Sequence, residues 1–117
     1  MTPSTALTTR SSLTIRARFF HGLADPSRLA LLEALRQGES CVSELVITTG
    51  LSQSNVSGHL ACLKECGLVE SRQQWRHVYY RLAGAHVAHL LEEADLALGQ
   101  VAERIDACQR PGTGASV

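Results

Sequence analysis

Four cysteines occur in this 117-residue chain, and two of them, Cys62 and Cys66, stand four residues apart in the stretch HLACLKECGLV. On a helix, that spacing brings the Cβ atoms within about 5–6 Å on one face. Two thiolates so placed can close on one metal ion at about 2.3 Å. A single buried cysteine is more often a small hydrophobe, and Cys41 reads that way, as core or a bystander. The Cys62/Cys66 pair reads instead as a two-ligand clip. Cys108 lies at the end of an apolar stripe in the last helix and is the candidate third donor. A site made only of sulfur, from Cys62, Cys66 and Cys108, prefers soft, thiophilic ions. A disulfide between residues four apart on a continuous helix is geometrically poor, which makes a thiol-redox switch the weaker alternative. An enzyme built on His59 and Cys62 would need an orienting group and oxyanion donors, and neither is evident.

The same helix carries a second chemistry. Its opening, SQSNVSGH, is short and polar, as a recognition helix needs to be at the end that enters the major groove. Gln53 and His59 are candidates for base edges, and Ser54 and Ser57 for phosphates or bases. Arg72 and Arg76, further along, would meet backbone or minor groove. Val56, Leu60 and Leu63 supply the buried side.

Both sets of residues depend on elements that the sequence marks locally. Residues 13–24 form a first helix with Leu13, Phe19, Phe20 and Leu23 on an apolar face. Asp25-Pro26 is an N-cap followed by proline at the first helical position, and Leu29, Leu32 and Leu35 then recur at helical spacing until Gly38. Ser43 is the expected cap of a short helix that stops at Gly50. Ser52 caps the next, which runs to Cys66 and ends at Gly67, a residue suited to the left-handed position. Helix, short glycine-containing turn and helix make a helix-turn-helix. Beyond Gly67 the period changes to two: LVESR and HVYYRL pair as a β-hairpin, or wing, across the polar segment QQWR. Residues 84–108 return to helix, and Val87, Leu91, Ala94, Leu98, Val101 and Ile105 step as in a heptad seam. The expected fold is mainly α with a small β-hairpin, a winged helix-turn-helix forming a homodimer through its terminal helices.

The totals set the remaining bounds. Lysine and arginine balance aspartate and glutamate at 11 each, yet the charges are segregated. Arg72, Arg76 and Arg81 stand with no acid between residues 71 and 81, whereas Glu92, Glu93, Asp95, Glu103 and Asp106 gather in the last helix. A local basic face is sufficient for DNA, so net neutrality does not exclude it. No apolar run approaches the roughly 20 residues of a membrane span, and no membrane partner is expected. Four cysteines without an export signal point to a reducing compartment, the cytoplasm. Residues 1–12 read as a flexible arm, 13–108 as the DNA-binding and dimerisation domain, and 109–117 as a disordered tail.

With these residues in place, the chain resembles the ArsR/SmtB family of winged-helix metalloregulatory repressors. The resemblance covers roughly residues 15–108 and is carried by LADPSRLALLEAL, by CVSELVITTGLSQSNVSGHLACLKECGLVESRQQWRHVYYRL and by the long final helix. It implies a dimer that sits on operator DNA in the metal-free form and leaves it on binding an inducer. Arsenic and cadmium sensors of the family often have Cys-Val-Cys where this chain has Cys41-Val42-Ser43, so one of those two thiols is missing. Zinc, cobalt and nickel sensors often use ligands at positions that here are Gly84, His86, Ala97 and Gln100, of which only His86 survives. Cys62, Cys66 and Cys108 instead resemble the ligand set of the cadmium/lead-sensing members, which take the last cysteine from the other subunit. The resemblance therefore implies Cd(II) or Pb(II) as inducer, with As(III), which Cys41 could help to hold, and Zn(II) as alternatives.

Overall fold

The structure, a computed structural model, describes residues 10–109, with side chains from 11 to 101. The order of elements is α1 (Arg10–Leu23), α2 (Pro26–Leu35), β1 (Ser40–Cys41), α3 (Val42–Thr49), α4 (Gln53–Glu65), β2 (Val69–Gln74), β3 (His77–Leu82) and α5 (Ala85–Gln109). The chain divides into two compact units, one up to Ala85 and one from His86 onward.

The core of the first unit is leucine-rich. Leu31, Leu32, Leu45, Val56, Leu60, Leu63 and Leu68 are its largest fully buried side chains. They come from α2, α3, α4 and the residue that leads into the sheet, so the core lies between the helix-turn-helix and the wing. Each buried leucine removed from water is worth about 1.5–3 kcal/mol.

Local signals set most helix ends. The Asp25 side chain accepts from the Arg28 backbone N–H at 3.0 Å and Pro26 opens α2, as the sequence leads one to expect. The Arg28 guanidinium reaches back to the α1 terminus, with Nε 3.0 Å from the Gly22 carbonyl and Nη2 2.8 Å from that of His21. It satisfies carbonyls that the end of a helix would otherwise leave open. Ser52 Oγ accepts from Asn55 N–H at 3.2 Å and starts α4. At the other end, Cys66 is the C-cap and Gly67 takes φ 79°. Leu68 N–H then reaches the Leu63 carbonyl at 2.9 Å and Gly67 N–H that of Lys64 at 3.1 Å, the paired closure of a Schellman motif.

Element boundaries differ from the sequence expectation at several points. Helix α1 begins at Arg10 rather than 13, and α2 ends at Leu35, three residues short of Gly38. The cap of α3 is Cys41, not Ser43: the Glu44 carboxylate accepts from Cys41 N–H at 3.0 Å, so the helix starts earlier. The hairpin loop is Trp75-Arg76 rather than QQWR, because Gln73 and Gln74 pair with Val78 and His77. Trp75 takes φ 63° in this tight turn, a conformation uncommon for a residue with a side chain.

The sheet has a third strand that the sequence did not suggest. Strand β1 pairs antiparallel with β3, Ser40 opposite Tyr80 and Cys41 opposite Tyr79, and the strand order is β1-β3-β2. The wing is thereby fastened to the start of α3.

In the second unit, α5 spans 25 residues. Along its expected seam Val87 and Leu91 are buried, while Leu98 is 47% exposed. Ile105 and Cys108 fall on α5, but their side chains lie outside the described residues, as do the expected arm up to residue 9 and the tail from residue 110.

Candidate metal site and nucleic-acid interface

Cys62 lies in the last turn of α4 and Cys66 is its C-cap, and both are half-buried. They open, with Ile15, Phe19, His21 and Glu65, onto a cleft of about 480 Å³ between α1 and α4. The Cys66 thiol donates to the Arg18 carbonyl of α1 at 3.7 Å. Burial pushes the Cys66 thiol above its ordinary range, and the neighbouring Cys62 adds to the effect by charge and hydrogen bond; Arg28 opposes it. A ligand that takes Cys66 as thiolate therefore displaces a proton. Gly22 makes the close approach of the two helices possible: a Cβ there would stand 2.9 Å from Leu68 Cδ1 and 3.3 Å from Cys66 Sγ.

Two soft donors on one helix face suit a thiophilic ion but do not complete its coordination. Among the described residues no group of three or more His, Cys, Asp or Glu side chains is placed to hold a metal. His21 and Glu65 line the same cleft without forming such a group, and Cys108 is beyond the described side chains. Cys41 is not part of this cleft. It is 7% exposed, its Sγ is 3.2 Å from Ser43 Oγ, and it lines a separate cleft of about 450 Å³ with Gln53, Arg76 and His77.

At the other end of α4, Gln53, Ser54 and Ser57 are exposed, opposite the buried Val56, Leu60 and Leu63. His59 is half-buried and near enough to Asp25 for its charge to help hold that carboxyl below the usual range, behind the larger effect of the Arg28 backbone N–H. It is thus less open to a groove than the other three.

The wing carries charge pairing that the sequence did not suggest. Arg72 is gripped by Glu39, with Nε 2.7 Å from Oε2 and Nη2 2.7 Å from Oε1, and its guanidinium carbon lies 5.3 Å from the Tyr79 ring centroid. Arg81 donates to Glu70 at 3.1 and 3.0 Å. The basic face read from residues 71–81 is therefore largely neutralised. Glu39 stands 33 residues before Arg72 in the chain, and no local pattern announces the pair. Arg76 is exposed and has no ion-pair partner among the described residues.

A helix-turn-helix with its polar face outward and a three-stranded wing matches known proteins. The model of the bacterial regulatory protein arsR family matches residues 25–71. The "Probable mercury resistance operon repressor" of Streptomyces lividans is 41% identical over 99 residues, which cover 84% of this chain and 79% of that one. The chain belongs to the ArsR family. The cadmium sensor CmtR of Mycobacterium tuberculosis is 46% identical over 77 residues, 66% of this chain and 65% of that relative. Its NMR structure superposes with a TM-score of 0.59, covering 66% of this chain and 80% of that one. A homodimeric winged helix-turn-helix DNA-binding domain from Mycobacterium bovis superposes with a TM-score of 0.73 at 36% identity, covering 77% of this chain and 83% of that one. As an ArsR-family member this chain is a transcriptional regulator, not an enzyme. None of its described helices is long and apolar enough to cross a membrane.

Proposed function

We propose that the chain is a metal-responsive repressor that binds operator DNA as a homodimer in its metal-free form and leaves it when a thiophilic ion such as Cd(II) or Pb(II) binds. One observation carries the reading: Cys62 and Cys66 share a cleft at one end of the helix whose other end exposes Gln53, Ser54 and Ser57. Cys62, Cys66 and Cys108 are the proposed ligands. Gln53, Ser54, Ser57, His59, Arg72 and Arg76 are the proposed DNA contacts. The exposed Leu13, Ile15 and Phe20 of α1 and Leu96 and Leu98 of α5 are apolar surface for a second copy to cover.

The ion supplies sulfur–metal bonds when bound. Cys62, Cys66 and Cys108 would hold the ion as thiolates, and a bound ion would thereby tie α4 to the last helix. A packed helix moves as a unit, so a constraint at its last turn changes how its first turn meets base edges and how the half-sites of a dimer are spaced. The relatives point to the same class of ion, since one is a cadmium sensor and another is named for mercury resistance.

The test is a titration of the purified protein on its own promoter DNA with Cd(II), Pb(II), Hg(II), arsenite and Zn(II), following thiolate charge-transfer absorption and DNA release together. Coincident absorption and release with a thiophilic ion is the expected result. Strongest release with arsenite would favour an arsenite-responsive repressor, and release by oxidant alone a thiol-redox sensor. Metal-induced release that survives Cys62→Ser with Cys66→Ser would overturn the site.

A further inference from the structure

The wing presents three arginines to solvent, and the structure treats them differently. Arg81 is paired with Glu70 across the hairpin. Arg72 is held from three sides: the carboxylate of Glu39 takes Nε and Nη2 in parallel, Gln74 Oε1 accepts from Nη1, and the Tyr79 ring lies beneath. Only Arg76, in the two-residue loop, projects without an ion-pair partner among the described residues.

A carboxylate that takes an arginine with two oxygens offers the fork the same geometry as a phosphate. Glu39 thus fills the place on Arg72 that a DNA phosphate would need. An arginine already neutralised also brings no net charge to the duplex, and neutralising a phosphate is what releases counterions and gives affinity its salt dependence. We infer that Glu39 acts as an internal stand-in for phosphate, withdrawing Arg72 from DNA, so that the charged contact of the wing falls on Arg76. The placement of Arg76 supports this: it lines the cleft of about 450 Å³ that also contains Gln53 at the start of α4, along with Ser43 and His77. The inference rests on the DNA-binding reading above and replaces Arg72 within it. Glu39 becomes the residue that sets how strongly the wing holds DNA.

Salt dependence separates the arginines. The metal-free 117-residue chain is titrated by fluorescence anisotropy against a labelled mixed-sequence duplex of about 30 base pairs from about 50 to 200 mM salt, and log affinity is plotted against log salt. Each phosphate contact contributes about 0.9 to the slope. Arg76→Gln is expected to flatten the slope by about that amount per protomer, whereas removing the neutral pair together, Arg72→Gln with Glu39→Gln, leaves it unchanged. Glu39→Gln is expected to steepen it by about 0.9 per protomer and to tighten binding several-fold at the low-salt end, and adding Arg72→Gln to Glu39→Gln to restore the original slope. A slope that the double variant Arg72→Gln with Glu39→Gln flattens, or that Glu39→Gln leaves unchanged, overturns the inference. A wild-type protein without affinity for the duplex overturns the DNA-binding reading itself, and is told apart because no slope is then obtained. Thermal melts of each variant confirm that the wing remains folded.

Discussion

The two ends of α4 are built by opposite means. Its first turn is a solvated surface: Ser52 caps it, and Gln53, Ser54 and Ser57 face water while Val56 begins the buried stripe. Its last turn is a packed one: Cys62 and Cys66 are half-buried beside α1, Gly22 makes room for them, and the Schellman hydrogen bonds close the helix directly onto the sheet. The difference teaches where each kind of recognition can be placed. Reading DNA needs side chains that are free to exchange water for bases, whereas gripping an ion in a way that matters elsewhere needs side chains already in contact with other elements. Thirteen residues of one helix join the two, and its fully buried Leu60 and Leu63 are what make the join stiff.

The strongest way to break the comparison is to soften that join. Leu60→Ala, at a position with no solvent exposure, is expected to cost about 2–5 kcal/mol and to lower the denaturation midpoint accordingly. If it melts like wild type, α4 is not the packed rod described. Next in size is the packed end: Gly67 at φ 79° has nothing within 4 Å of an added Cβ, so Gly67→Ala isolates backbone strain and is expected to cost about 1–2 kcal/mol. At the solvated end, Ser52→Ala removes the side-chain cap and is expected to cost about 1 kcal/mol. The two ends would stop being distinct if the cap variant proved the more damaging.

The smallest effect is on pH. Asp25 is held below the usual carboxylate range chiefly by the Arg28 backbone N–H, and Glu39 chiefly by its hydrogen bond to Arg72. A depressed carboxyl contributes stability that is present above its unfolded value and lost as pH falls through its folded one. Thermal stability is therefore expected to decline on acidification below the ordinary carboxylate range, and less steeply in Glu39→Gln, as melts at a series of pH values would record.

What was legible in the sequence was what is encoded nearby. Asp25-Pro26, Ser52 and Gly67 act on residues two to four positions away, and each terminus was found where its chemistry required it. The Cys62/Cys66 face and the exposed polar start of α4 follow from helical period alone. What was hidden depends on partners far along the chain. Strand β1 is two residues long and exists because β3 accepts it, and it ends at Cys41, the residue that caps α3. Gln73 and Gln74 read as loop because they are polar, yet edge pairing tolerates polarity, and the hairpin closes in two residues with Trp75 in a place more usual for glycine. The contact of Cys66 with the Arg18 carbonyl and the Glu39–Arg72 pair span 48 and 33 residues; spacing rules see neither.

Trp75 is the only tryptophan in the chain and is 87% exposed at the tip of the wing. Its emission therefore reports on that one loop and on nothing in the core. Thiolate-to-metal absorption, in turn, would arise only where cysteines meet an ion. With the proposed metal binding, the protein would carry two native optical channels that do not overlap in origin, and a single unlabelled sample would time the order of events at its wing and at its cysteines.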